Sequence, residues 1–117
     1  MTHQNIMRSV DLNDEIARFN ADVPSGRRSE ILVKTPTLRV VLVTMKAGTE
    51  SHEHAVDGPI TLQALQGSFA VTAGNETITL SAGGFLALEG GIRHAVRATE
   101  DGAFLLTISW SGAEEHR

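Results

Sequence analysis

A series of short segments rich in β-branched and aromatic residues, separated by turn residues, occupies the chain from Ser29 onward. A turn signal recurs after about eight to twelve residues, which is the spacing of an antiparallel sandwich or barrel. The predicted strands are Ile31–Lys34, Leu38–Met45, Ile60–Gln66, Phe69–Thr72, Thr77–Leu80, Phe85–Leu88, His94–Ala98 and Ala103–Trp110. The sequence therefore predicts an all-β domain. Its most apolar side chains are expected in the core, among them Phe69, Phe85, Phe104 and Trp110.

One helix is predicted ahead of the strands. Leu12, Ile16 and Phe19 recur at helical spacing, and acidic residues in the first turn suit the positive end of the helix dipole. Turn residues at 21–26 end this helix. We therefore assign residues 1–26 to an N-terminal extension with a short helix, 27–112 to the β-barrel, and 113–117 to a frayed tail.

Composition narrows the function classes. The 117 residues suit one domain, and the net charge of -4 argues against binding to a nucleic-acid backbone. The chain has no cysteine, which excludes disulfides, thiolate metal sites and a cysteine nucleophile. Arg27 and Arg28 form the only adjacent basic pair, and we expect both to be solvated.

No apolar run is long enough to span a bilayer, and residues 1–5 lack the basic start of a signal peptide. We therefore expect a soluble, cytoplasmic protein with neither a membrane nor a nucleic-acid partner.

Three of the five histidines, His52, His54 and His94, lie at turn-bounded strand ends. Imidazole is a ligand of Zn, Fe, Ni and Cu, and alternate positions of a strand face the same side. An extended chain here would put Glu50, His52 and His54 on one face, with His94 arriving from a separate strand. Spacing alone leaves two interpretations open, a metal site or histidines held by hydrogen bonds in loops and core.

The glycines around these histidines are regularly placed. Gly48 is followed by five residues and then His54, and Gly67 lies seven positions after Ile60. Gly83 is followed by five residues and then by Glu89-Gly90-Gly91, with His94 three positions after Gly91. This spacing resembles the two sequence motifs of the cupin superfamily, from Gly48 to Ala98.

The resemblance implies a double-stranded β-helix, or jelly-roll, barrel. Metal-bearing cupins take their ligands from two histidines and a glutamate in the first motif and a histidine in the second. Those positions fall here on His54, Val56, Ile60 and His94. Only the two histidines can ligate a metal, because valine and isoleucine have no donor atom.

Two alternatives follow for the site. In the first, His52 replaces the missing histidine, with Glu50 or water completing the shell of a divalent Zn, Fe, Mn or Ni ion. In the second, the metal site is vestigial and His54 and His94 line an apolar pocket with Val56 and Ile60. Arg93, beside His94, is a candidate for binding an anionic ligand in either case.

Three functions are therefore weighed. The first is a metal-dependent enzyme, a dioxygenase or isomerase, acting on a small organic molecule. The second is a metal-free module that binds or senses a small molecule. The third is a structural homodimer in which the segment Arg27–Pro36 pairs with a partner's sheet edge. The resemblance to small cupins implies dimerisation for all three.

Overall fold

The computed structural model describes residues 5–51 and 55–109, which form one helix and eight strands. The helix α1 spans Leu12–Arg18. The strands are β1 (Arg27–Lys34), β2 (Leu38–Met45), β3 (Ile60–Gln66), β4 (Ser68–Ala73), β5 (Glu76–Ser81), β6 (Phe85–Leu88), β7 (His94–Ala98) and β8 (Gly102–Ser109). No helix in these two ranges is long and apolar enough to cross a membrane.

The strands form two antiparallel sheets. The larger sheet has the order β1-β2-β8-β3-β6, and the smaller has the order β5-β4-β7. Residues 48–51 extend the smaller sheet beside β7, because the Ser51 N–H donates to the Val96 carbonyl at 2.8 Å and the Ala98 N–H to the Thr49 carbonyl at 2.9 Å. All strand pairs are antiparallel, as the expected cupin-type jelly roll requires.

The main core lies between the two sheets. Phe69 from β4 and Phe104 from β8 meet edge to face, with ring centroids 5.1 Å apart and an interplanar angle of 79°. Buried side chains of both sheets surround this pair; they include Val43, Met45, Leu62, Ala64, Val71 and Val96. The alternation of strand residues thus gives each sheet one face in the core.

A second, smaller core lies on the outer face of the larger sheet. Leu12 and Ile16 of α1 pack there against Leu32, Leu42 and Ala103. The helix begins where the Asp11 carboxylate accepts a hydrogen bond from the Asp14 N–H at 3.0 Å, an N-cap that satisfies one otherwise unpaired donor. The amphipathic spacing seen in the sequence is therefore used to attach α1 to the barrel.

The eight strands predicted from the sequence are confirmed, and their bounds differ most at β1. Strand β1 begins at Arg27 rather than Ile31, because its polar first residues pair with β2 from Arg27↔Met45 onward. The expectation that Arg27 and Arg28 are simply solvated is wrong, since both are half-buried in β1.

The prediction of Phe85 as a core residue is also wrong. Phe85 is 64% exposed, whereas Phe69 and Phe104 are buried as predicted. It lies on β6, an edge strand whose alternating pattern exposes this position. Trp110 lies outside the described residues.

Candidate functional site

The site is a cavity of about 220 Å³ between the two sheets. Six apolar side chains form most of its wall: Val41, Val43, Leu62, Val96, Phe104 and Leu106. Four polar residues complete the lining: Arg27, Ser29, Ser51 and His94. A mostly apolar wall with a few convergent polar groups is typical of a small-molecule site.

His94 is the buried polar group of this cavity. It begins β7 and is only 4% exposed. Its Nδ1 lies 3.2 Å from the Ile92 carbonyl oxygen. Because a carbonyl oxygen can only accept, Nδ1 is the protonated nitrogen of this bond, and Nε2 is the nitrogen that can bind a metal in the neutral tautomer. Such an orienting bond to the backbone is also usual for a metal-binding histidine.

Ser51 lines the cavity and is hydrogen-bonded to the neighbouring strand β7. The Val96 N–H donates to Ser51 Oγ at 2.9 Å, and this bond holds the serine beside β7. Glu50, one position earlier, is exposed and forms an isolated backbone bridge with Arg97. The residue of this segment that lines the cavity is therefore Ser51 and not Glu50.

Arg27 and Ser29 enter the cavity from β1. They occupy alternate positions of that strand and so share its inner face with Ile31. Arg28 lies on the opposite face, with its guanidinium carbon 5.1 Å from the ring centroid of Phe19. Sequence inspection missed both cavity residues, although the alternation of β1 identifies them once the strand is extended back to Arg27.

The remaining predicted site residues occupy different places. His52 and His54 lie outside the described residues. Ile60 is 3% exposed within the main core, Val56 packs against that core, and Arg93 is exposed. None of these last three lines the cavity, and their part in ligand binding stays a prediction.

Within residues 5–51 and 55–109, no three histidine, aspartate or glutamate side chains are close enough to hold a metal ion. The described part of the chain thus supplies a single imidazole, His94, to the predicted metal site. Its burial and its orienting hydrogen bond fit a metal ligand, and the other ligands would have to come from His52 and His54.

A larger groove of about 400 Å³ lies near the C-terminal end of α1. Its charged groups already have partners, since Lys46 Nζ lies 3.1 Å from Asp22 and Asp101 accepts the Ala47 N–H at 2.8 Å. We therefore regard the smaller cavity between the sheets as the functional site.

Comparison with known proteins agrees with the fold. Residues 41–110 match the cupin domain family, so the chain belongs to that family. No curated protein matches the chain. The match includes His94 and eight of the ten cavity residues, all except Arg27 and Ser29.

Solved structures show the same architecture. A conserved protein of unknown function from Streptococcus pyogenes is 23% identical, with a TM-score of 0.77, covering 95% of this chain and 91% of that one. The structure of KdgF from a Halomonas species is 27% identical, with a TM-score of 0.67 and coverage of 75% and 82%. An RmlC-like cupin from Shewanella frigidimarina is 21% identical, with a TM-score of 0.70 and coverage of 77% and 81%.

Proposed function

We propose that the protein binds a small organic molecule inside the barrel, beside a divalent transition-metal ion. The observation that carries this proposal is the buried His94 in the wall of an otherwise mostly apolar cavity. His94 would hold the ion together with His52 and His54. The bound ion would supply Lewis-acid or oxygen-activating chemistry, as a dioxygenase or isomerase requires.

The protein's own residues have distinct tasks under this proposal. The Ile92 carbonyl fixes the ring of His94, so that Nε2 is the nitrogen that binds. The six apolar side chains exclude water and contact the organic body of the ligand. Ser51 accepts the Val96 N–H, and its hydroxyl, which donates to the Val96 carbonyl at 3.4 Å, would turn to donate to the ligand.

A metal-free module that binds or senses a small molecule is the second candidate. It is favoured by the apolar wall and by Val56 and Ile60, which stand where the cupin motif has two metal ligands. In that case Nε2 of His94 accepts a hydrogen bond from the ligand instead of binding an ion.

Metal analysis of the purified protein separates the two candidates. We expect about one transition-metal ion per chain, and we expect added metal to raise the melting temperature of the stripped protein, because a ligand of the folded state stabilises it by mass action. His94→Asn and the double variant His52→Ala/His54→Ala should both lose the ion. The matched control is His3→Ala/His116→Ala, which removes the other two histidines.

A protein without bound metal, and without any melting shift on adding Zn, Fe, Mn or Ni, would overturn the metal-dependent proposal. Loss of metal in the His3/His116 control, with retention in the His94 variant, would place the ion elsewhere. The metal-free candidate then depends on whether organic probes bind in the cavity.

A further inference from the structure

We infer that the ligand of the cavity is a small organic acid whose anionic group binds to Arg27. This inference rests on the proposed binding of a small molecule between the sheets. It names the chemical class of that molecule and one residue that selects it.

Among residues 5–51 and 55–109, the guanidinium of Arg27 has no carboxylate partner. The half-buried side chain of Arg27 lines the cavity. Other arginines near β1 are engaged: Arg8 and Arg18 both pair with Glu15, and Arg28 lies over Phe19. A half-buried and unpaired cation is costly in an apolar setting, and a bound anion removes that cost.

The cavity is electropositive in an acidic protein. The whole chain carries a net charge of -4, yet no aspartate or glutamate is among the described residues that line the cavity. Apart from His94, the remaining polar groups of the lining are the hydroxyls of Ser29 and Ser51, which can donate to an anion. A planar guanidinium is moreover the side chain best suited to bind a carboxylate through two parallel hydrogen bonds.

The start of β1 is fixed in place before any ligand binds. The Gly26 carbonyl accepts the Lys46 N–H at 2.8 Å. Arg27 then pairs with Met45, which is 1% exposed in the core. Binding at Arg27 therefore needs only its side chain to become ordered, which limits the entropic cost.

The cavity volume limits the size of the acid. A cavity of about 150 Å³ suffices for benzene in an apolar protein interior. At about 220 Å³, this cavity suits a monocyclic or short-chain acid. Its organic body would contact Leu62 and Phe104, and its carboxylate would face Arg27.

Benzoate and its neutral counterpart benzamide test the inference, because they differ in charge and hardly in shape. Each is titrated into the protein as purified, and binding is followed by NMR of the methyl groups of Val41, Val43 and Leu62, which line the cavity. We expect benzoate to shift these methyls and to bind at least about tenfold more tightly than benzamide. Arg27→Gln should abolish that preference, and Arg27→Lys should restore part of it. Arg28→Gln, with the same change of charge on the opposite face of β1, should leave it intact.

Each outcome decides one of the two proposals. Equal affinities for benzoate and benzamide, or a benzoate preference that survives Arg27→Gln because a metal ion recognises the carboxylate, would overturn the inference and leave ligand binding in the cavity standing. If neither probe shifts the cavity methyls, the proposed function itself fails for this cavity, and the inference fails with it.

Discussion

Glu15 of α1 and Glu30 of β1 share one cation, since Nη2 of Arg8 lies 3.6 Å from Glu15 Oε1 and 3.8 Å from Glu30 Oε1. Both carboxyl groups are largely buried, with side chains 4% and 16% exposed. Burial, followed by repulsion from the Glu15 carboxylate, raises the pKa of Glu30 above its ordinary value of 4.5, against the opposing pull of Arg8 and Arg18. Two acids thus meet where the helix attaches to the barrel.

Because of this pair, we predict that the free energy of unfolding falls as the pH rises. Above pH 4.5 the folded protein keeps a proton on Glu30 that the unfolded chain has released, so the contribution is present at low pH and is lost as the pH passes the raised pKa. Glu30→Gln should remove this decline and raise the free energy of unfolding at pH 7 to 8. Urea denaturation between pH 4 and pH 8 measures both effects.

The matched control is Glu100→Gln, at an exposed position outside this pair. It should keep the wild-type dependence on pH. A Glu30→Gln protein whose stability changes with pH in parallel with the wild type would contradict this account of α1 attachment.

Replacing Phe69 should lower the stability of the protein far more than replacing Phe85. Phe69→Ala removes a fully buried ring packed on Phe104 and is expected to cost about 3–5 kcal/mol, because it leaves a cavity in the core. Phe85→Ser, at a ring that is 64% exposed, should change stability by less than about 0.5 kcal/mol. Chemical denaturation of both variants measures these two changes. A large loss of stability for Phe85→Ser would show that another surface covers β6.

A side chain at Gly26, directly before β1, is expected to destabilise the protein. Its φ is +71°, and a Cβ there would lie 2.5 Å from Cγ2 of Thr49, whose hydroxyl is fixed by a 2.7 Å hydrogen bond to the Lys46 carbonyl. Gly26→Ala should therefore destabilise the protein by the cost of a left-handed backbone conformation, about 1–2 kcal/mol, plus about 1–3 kcal/mol of steric overlap.

Gly74 provides the comparison for that variant. Its φ is +60°, but a Cβ there would meet nothing within 4 Å. Gly74→Ala should cost only the left-handed backbone conformation, about 1–2 kcal/mol. Equal losses in melting experiments on the two variants would show that the contact with Thr49 is not limiting.

Homodimerisation stays a prediction, and β1 is where we expect it. This strand is an edge of the larger sheet and pairs only with β2 among the described strands. An unpaired edge offers N–H and C=O groups to a second copy of the chain. Solution scattering should give the mass of two chains, and the mass of a single chain at working concentrations would reject the dimer.

The strand segments and the place of His94 at the start of β7 could be predicted from the sequence, because glycine turns and period-2 patterns depend on local chemistry. Leu38–Met45 was recognisable as β2 from its β-branched run alone. Phe85 was misplaced because hydrophobicity does not reveal whether a strand lies at a sheet edge, where an apolar side chain can stay exposed.

Arg27 was harder to find for a different reason. The first residues of β1 are polar, so they resemble a loop, and only the pairing with β2 shows that they are a strand. Once paired, alternate residues separate, and Arg27 reaches the cavity while Arg28 covers Phe19. Which of the two arginines faces the cavity depends on the register in which β1 pairs with β2, and the local sequence does not determine that register.

A crystal structure of the protein soaked with benzoate, with anomalous data collected at transition-metal absorption edges, tests the central claim most directly. We predict benzoate between the sheets with its carboxylate on Arg27, and an anomalous peak at His94, about 2.0–2.1 Å from Nε2 if the ion is zinc. A cavity that contains neither ion nor benzoate at saturating concentrations would contradict the assignment of this cavity as the functional site.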